Sequence, residues 1–164
     1  MKTLYVMRHA KSSWGEPGLD DFDRPLLEKG KKRTKDVIDF LLKKKVTPGL
    51  ILSSPAVRAI ETARIMAFGL NIPQESIREE KLIYTSESER LEDLFYDLPG
   101  SIDSLMLIGH NPAMTNFVNN FIEQKIDVLP TSGVVGLEFD TDDWSGIISK
   151  KPVLKFMIFP KMLG

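Results

Sequence analysis

No cysteine occurs among the 164 residues of this sequence, which excludes disulfides, thiolate zinc sites, iron–sulfur clusters and a cysteine nucleophile. Histidine is nearly absent as well, so any imidazole chemistry must use His9, His110 or both. No apolar run approaches the roughly 20 residues needed to span a bilayer. Met1 to Met7 is too short for a signal peptide and runs straight into Arg8; the expectation is a cytoplasmic protein with no membrane partner. Net charge is close to zero, with 22 basic residues against 23 acidic ones. A general nucleic-acid or polyanion binder carries a strong basic bias, so nucleic acid is not an expected partner. The sequence also lacks a Gly-x-x-x-x-Gly-Lys run, which argues against a P-loop nucleotide site.

What is present is enough apolar material for a core, 42% of residues, and a length that predicts one domain over residues 1–164. There is no internal repeat, low-complexity tract or linker. Strand-like and helix-like segments alternate. Strands are predicted at Thr3–Met7, Leu50–Leu52, Ile77–Tyr84, Leu105–Ile108, Val134–Phe139 and Val153–Phe159. Helices are predicted at Glu28–Lys45, from Pro55 to about Phe68, over Ser86–Leu98, and from Pro112 to about Glu123. The longest loop-like stretch, Ser12 to Arg24, is broken by Gly15, Pro17 and Gly18, and a loop of that length in a compact domain is often functional. The pattern predicts an α/β class: a three-layer α/β/α sandwich whose mixed sheet is mostly parallel, ending in an antiparallel pair.

Ligands of open α/β sheets sit at the carboxyl ends of the strands. Three segments place unusual residues there: Arg8-His9-Ala10-Lys11-Ser12 after the first strand, Ser53-Ser54-Pro55-Ala56-Val57-Arg58 after the second, and Gly109-His110-Asn111-Pro112 after the apolar Leu-Met-Leu-Ile run. Two arginines supply fixed charge and forked donors that match phosphate oxygens. Histidine attacks phosphorus as a neutral imidazole or donates to an oxygen as a cation. The set describes a phosphoryl-binding pocket with a nitrogen nucleophile.

Arg8-His9-Ala10, Ser53-Ser54-Pro55 with Arg58, and Gly109-His110, in that order, resemble the histidine phosphatase (phosphoglycerate-mutase-like) superfamily. More narrowly, they are similar to the SixA group of phosphohistidine phosphatases, whose short chains carry an Asp-x-x-Arg-Pro-Leu-like segment before the first helix. Asp23-Arg24-Pro25-Leu26, with Gly30 further on, fits that segment, and the resemblance runs from Lys2 to about Asn120. It implies a phosphoglycerate-mutase-like fold and a phosphatase in which His9 is transiently phosphorylated. Arg8, Arg58 and His110 would hold the phosphoryl oxygens, and Arg24 would add charge at the mouth. No cofactor or metal is expected, because the arginines neutralise the phosphoryl charge.

Two departures bear on activity. Ala10 replaces the glycine of the usual Arg-His-Gly triplet. No glutamate general acid of the kind that larger members carry sits in a recognisable motif, although Glu80, Glu87 and Glu89 lie in roughly the right region. A P–N bond to imidazole asks less of an acid than an ester does, so the gap favours a phosphohistidine-bearing phosphotransfer or signalling protein as partner. Two rivals are kept: a phosphatase of small phosphorylated molecules, and a phosphoryl-binding module without turnover. A monomer is expected. Ser12 either donates to phosphate or caps a turn, Arg24 either serves the site or anchors its loop to a neighbouring aspartate, and Trp14 either anchors the loop or lines the entrance. The basic cluster Lys29, Lys31, Lys32, Arg33 and Lys35 reads as a solvated helix face, with a docking surface as the alternative.

Overall fold

The computed structural model describes residues 1–164. In chain order the elements are β1 (Lys2–Arg8), α1 (Glu28–Lys43), β2 (Leu50–Ser53), α2 (Val57–Gly69), β3 (Ile77–Glu79), α3 (Lys81–Thr85), β4 (Ser104–Gly109), α4 (Ala113–Asn119), β5 (Val134–Phe139) and β6 (Val153–Ile158). The six strands form one sheet in the order β3-β2-β4-β1-β5-β6. Neighbours from β3 through β1 are parallel, while β5 runs against both β1 and β6.

Alternation along the central strands decides which helices cover which face. Leu4, Val6, Leu105 and Leu107 point into a core shared with Met114, Phe117 and Trp144. Their neighbours Tyr5, Met7, Met106 and Ile108 point the other way, onto Val37 and Leu41 of α1 and Ala59, Ala63 and Met66 of α2. Successive strand residues face opposite sides, so one apolar run serves two cores. Each such side chain contributes about 1.5–3 kcal/mol on full burial. The result is the expected α/β sandwich, a mostly parallel mixed sheet with a core on each face.

Three predicted elements end elsewhere, each for a local reason. The strand expected over Ile77–Tyr84 stops at Glu79, because its partner β2 stops at Ser53. The Glu80 N–H closes the ladder on the Ser53 carbonyl at 2.8 Å, and the chain turns into α3. The helix expected over Ser86–Leu98 is a 3-10 helix over Ser88–Phe95, which still buries Leu91 and Phe95. The helix expected to reach about Glu123 ends at Asn119, whose side chain bonds the backbone of Ile126 in both directions; asparagine commonly diverts a helix in this way.

Candidate active site

Strand order brings the three unusual segments together. Because β4 lies between β2 and β1, their carboxyl ends are adjacent, and the ladder continues past them. The His9 N–H reaches the Gly109 carbonyl at 3.0 Å, and the Ser54 N–H reaches the Ile108 carbonyl at 3.1 Å. His9 and His110 thus leave neighbouring strands side by side, with ring centroids 5.2 Å apart.

His9 is only 5% exposed. Its Nδ1 lies 2.7 Å from the Ala10 carbonyl oxygen. A carbonyl can only accept, so Nδ1 carries the hydrogen and Nε2 keeps its lone pair. Burial, opposed in part by the Ala10 hydrogen bond and reinforced by the charges of His110, Arg58 and Arg8, pushes the imidazolium pKa down to about 3. His9 is therefore neutral at pH 7, the form in which a nitrogen nucleophile is competent. Ala10 itself is fully buried, and the residues other than glycine with positive φ are Lys45, Asn71 and Ser132. The backbone at this position does not demand glycine. The Ala10 N–H donates to Thr62 Oγ1 at 2.9 Å, and that hydroxyl donates to the Arg58 carbonyl at 2.7 Å, which ties the His9 turn to α2.

His110 Nε2 lies 2.7 Å from Ser54 Oγ, while its Nδ1 is buried with no partner in the chain. Burial and Arg58, against the raising effect of Asp21, push its pKa down to about 4. Arg58, in the first turn of α2, is 5% exposed. It donates through Nη1 to the Asp21 carbonyl at 2.6 Å and through Nη2 to Asp21 Oδ2 at 3.0 Å. Arg8, half-buried, donates to the Leu129 carbonyl at 3.3 Å; burial and the Arg58 charge push its pKa below the usual arginine value. The Nε atoms of both arginines are buried without a partner. Buried N–H donors are nearly always satisfied, so donors of this kind beside two like charges suit an oxyanion.

Arg24 also lies at this rim, its Nε 3.3 Å from Asp21 Oδ1 and its guanidinium 5.5 Å from the centre of the exposed Trp14 ring. Of the aspartates in the loop, Asp21 rather than Asp23 meets the arginines, and it is the one that stands three residues before Arg24. Ser12, three residues beyond His9, is buried, and its backbone pairs with Leu26 through a β-bridge. Tyr84, placed by sequence pattern on a strand, sits instead on α3. Its hydroxyl donates to Asp21 Oδ2 at 2.9 Å, and its ring meets the His110 ring edge-on at 5.5 Å. Next to His110 opens a cleft of about 410 Å³ lined by Tyr84, Glu87, Glu89, Asn111 and Asn116 among others; Glu80 does not line it. No group of three or more His, Asp or Glu side chains is arranged to hold a metal ion.

A sequence model of the histidine phosphatase superfamily, branch 1, matches residues 4–87, just over half of the chain. The chain belongs to this superfamily. Among solved structures, this histidine phosphatase resembles a protein of Agrobacterium tumefaciens provisionally assigned as phosphohistidine phosphatase SixA. The two share 29% identity over 97% of this chain and 99% of the other, with a TM-score of 0.80. It also shares its fold with the protein histidine phosphatase SixA solved with tungstate, at 21% identity, 99% coverage of both chains and a TM-score of 0.79. An uncharacterized chloroplastic protein of Arabidopsis thaliana is 31% identical over 119 residues, a stretch that spans 67% of this chain and 54% of the plant protein. The fold is thus SixA-like over nearly the whole chain, and no helix in it is long and apolar enough to cross a membrane.

Proposed function

We propose that this phosphatase removes the phosphoryl group from phosphohistidine on a phosphotransfer or signalling protein, through a phosphoryl-His9 intermediate. The reading is carried by one observation: at the mouth of the arginine pair, the carboxylate in hydrogen-bond contact with the site is Asp21, and it is held ionised. Burial pushes the Asp21 carboxyl up, but hydrogen bonds from Tyr84 and Arg58 and the charges of Arg58 and Arg24 outweigh this and leave it below the usual carboxylate range. An ionised carboxylate has no proton to give an alkoxide, whereas an imidazole leaving group can carry its own.

In the first step the His9 Nε2 lone pair forms a bond to phosphorus. The P–N bond of the substrate breaks, and its electron pair returns to the substrate nitrogen. In the second step water attacks the phosphoryl group in line, the P–Nε2 bond breaks back onto His9, and inorganic phosphate leaves. Arg8, Arg58 and His110 hold the equatorial oxygens, where charge concentrates. Arg24 adds charge at the mouth.

A second reading rests on the cleft beside His110. Glu87 and Glu89 line it and are exposed, so a monoester whose leaving oxygen points into this cleft would meet a carboxylate. The deciding experiment compares kcat/KM for a phosphohistidine peptide with that for a panel of phosphate monoesters, in metal-free buffer. Preference for phosphohistidine, reduced by about 10³-fold or more in His9→Ala, is the expected result. Faster monoester turnover that drops in Glu87→Gln or Glu89→Gln would establish the second reading instead.

A further inference from the structure

Asp21 is an unusual residue to find beside an oxyanion pocket, because it repels the ligand that the pocket is built for. Its carboxylate accepts from Arg58 Nη2 at 3.0 Å and from the Tyr84 hydroxyl at 2.9 Å, with Arg24 Nε 3.3 Å away. Its side chain is nevertheless 57% exposed, while that of Arg58 is 6% exposed. The carboxylate is therefore the solvent-exposed partner of a buried guanidinium. Its charge acts on His110 at the mouth, whereas His9 is governed by burial, Ala10, His110, Arg58 and Arg8. The turn that holds it is fixed from both sides, by the Asp21 carbonyl on Arg58 and by the edge of Phe22 on Tyr84 at 5.3 Å. A carboxylate offers about four acceptor positions, and two of them accept hydrogen bonds, from Tyr84 and Arg58 on Oδ2, while Arg24 pairs with Oδ1 by charge alone.

We propose that Asp21 is the specificity-determining residue for an imidazole leaving group. The inference rests on the phosphohistidine reading above. In phosphohistidine one ring nitrogen carries phosphorus and the other is free to bind a proton. With that proton in place, attack by His9 Nε2 breaks the P–N bond, the electron pair returns to the ring, and neutral imidazole departs with no acid supplied by the enzyme. Without it the leaving group would be imidazolate. A carboxylate at the mouth accepts the N–H of the protonated ring and stabilises its positive charge. It thus keeps the substrate in its reactive form above the pH near 6.5 at which an ordinary imidazole loses its proton. The same carboxylate offers nothing to a leaving alkoxide and repels its charge. Asp21 is in this way a substitute for the general acid, and one that works only for a basic leaving group. The groups facing it are Arg58 from α2, Tyr84 from α3, His110 from the end of β4, and Arg24 with Asp20 and Asp23 on its own loop.

The test is the pH profile of kcat/KM for Asp21→Asn on a phosphohistidine peptide and on p-nitrophenyl phosphate, whose leaving group needs no proton. An opposite charge within about 4–6 Å shifts a titration by about 1–2 pH units. The amide should therefore lower the ratio of phosphohistidine to nitrophenyl turnover about 8–25-fold at pH 8 and move the alkaline limb for phosphohistidine to lower pH. Asp21→Glu, which keeps the charge, should keep that limb in place. If Asp21→Asn lowers both substrates in parallel and leaves the limb where it was, Asp21 only orients Arg58 and the proposal is overturned. If wild type hydrolyses p-nitrophenyl phosphate and not phosphohistidine, the phosphohistidine reading itself fails and takes this proposal with it.

Discussion

At His9, burial and the surrounding cations act in one direction, and the consequence is measurable without any substrate. The unfolded chain binds a proton at this imidazole below about pH 6.5, whereas the folded chain does so only near pH 3. Between those values the unfolded state holds more protons, so stability is complete above pH 6.5 and falls as pH falls, at about 1.4 kcal/mol per pH unit. From pH 6.5 to 5 the loss attributable to His9 is about 2 kcal/mol. Urea unfolding of wild type and His9→Gln should show the variant losing about that much less over the interval, and equal losses in the two would contradict a depressed imidazolium. Arg8, His9, Arg58 and His110 were legible in the sequence because each lies at or within a few residues of a strand end, where α/β sheets collect their ligands. Asp21 and Tyr84 were not. Their contacts join residues 37 and 63 positions apart, and the one signal that sets Asp21 apart from Asp20 and Asp23 is its Asp-x-x-Arg spacing to Arg24.

On the scale of elements, the position of His9 depends on how closely α1 approaches the turn that follows β1. A methyl group at Gly30 would collide with the Lys11 carbonyl oxygen and come within 2.9 Å of the Lys11 nitrogen. The Leu27 N–H bonds that same carbonyl at 3.0 Å. Gly30→Ala must therefore separate the helix from a backbone two residues beyond His9. It should cost about 1–3 kcal/mol of stability and lower kcat/KM at a temperature where the variant is folded. Gly49→Ala, where the added methyl meets nothing closer than 3.6 Å, is the control and should lower neither. Helix α1 was legible from its apolar spacing, and its end is explained by Lys45, whose φ of 58° terminates the helix. Helix α3 was hidden because Leu82 and Ile83 continue an apolar pattern that suits a strand. Only the length of β2, a tertiary fact, stops the ladder at Glu79.

Across the whole molecule, the parallel strands separate chemistry from anchoring. The carboxyl ends carry the arginines and histidines, and the amino end of β1 carries Lys2, a lysine only 2% exposed. Its ammonium donates to the carbonyls of Gly100 at 2.6 Å and Ile102 at 3.0 Å and pairs with Asp103 at 3.0 Å. Lys2→Met leaves the Gly100 carbonyl without its donor and should destabilise the fold by about 1–3 kcal/mol. Since the residue lies at the far end of the sheet from His9, kcat/KM should not change. A drop in kcat/KM for the folded variant would show that the two ends are coupled. The alternation of elements made the sheet legible from sequence, and the strand order followed only from the structure. That order matters, because β4 must insert between β2 and β1 for His110 to meet His9.

The covalent mechanism is tested most directly by trapping the phosphoryl group on the enzyme. Wild type mixed with a phosphohistidine peptide, quenched rapidly at alkaline pH and mapped by mass spectrometry, should carry phosphate on His9, and His9→Ala should carry none. Phosphate on His110, or turnover at the wild-type rate in His9→Ala, would contradict it.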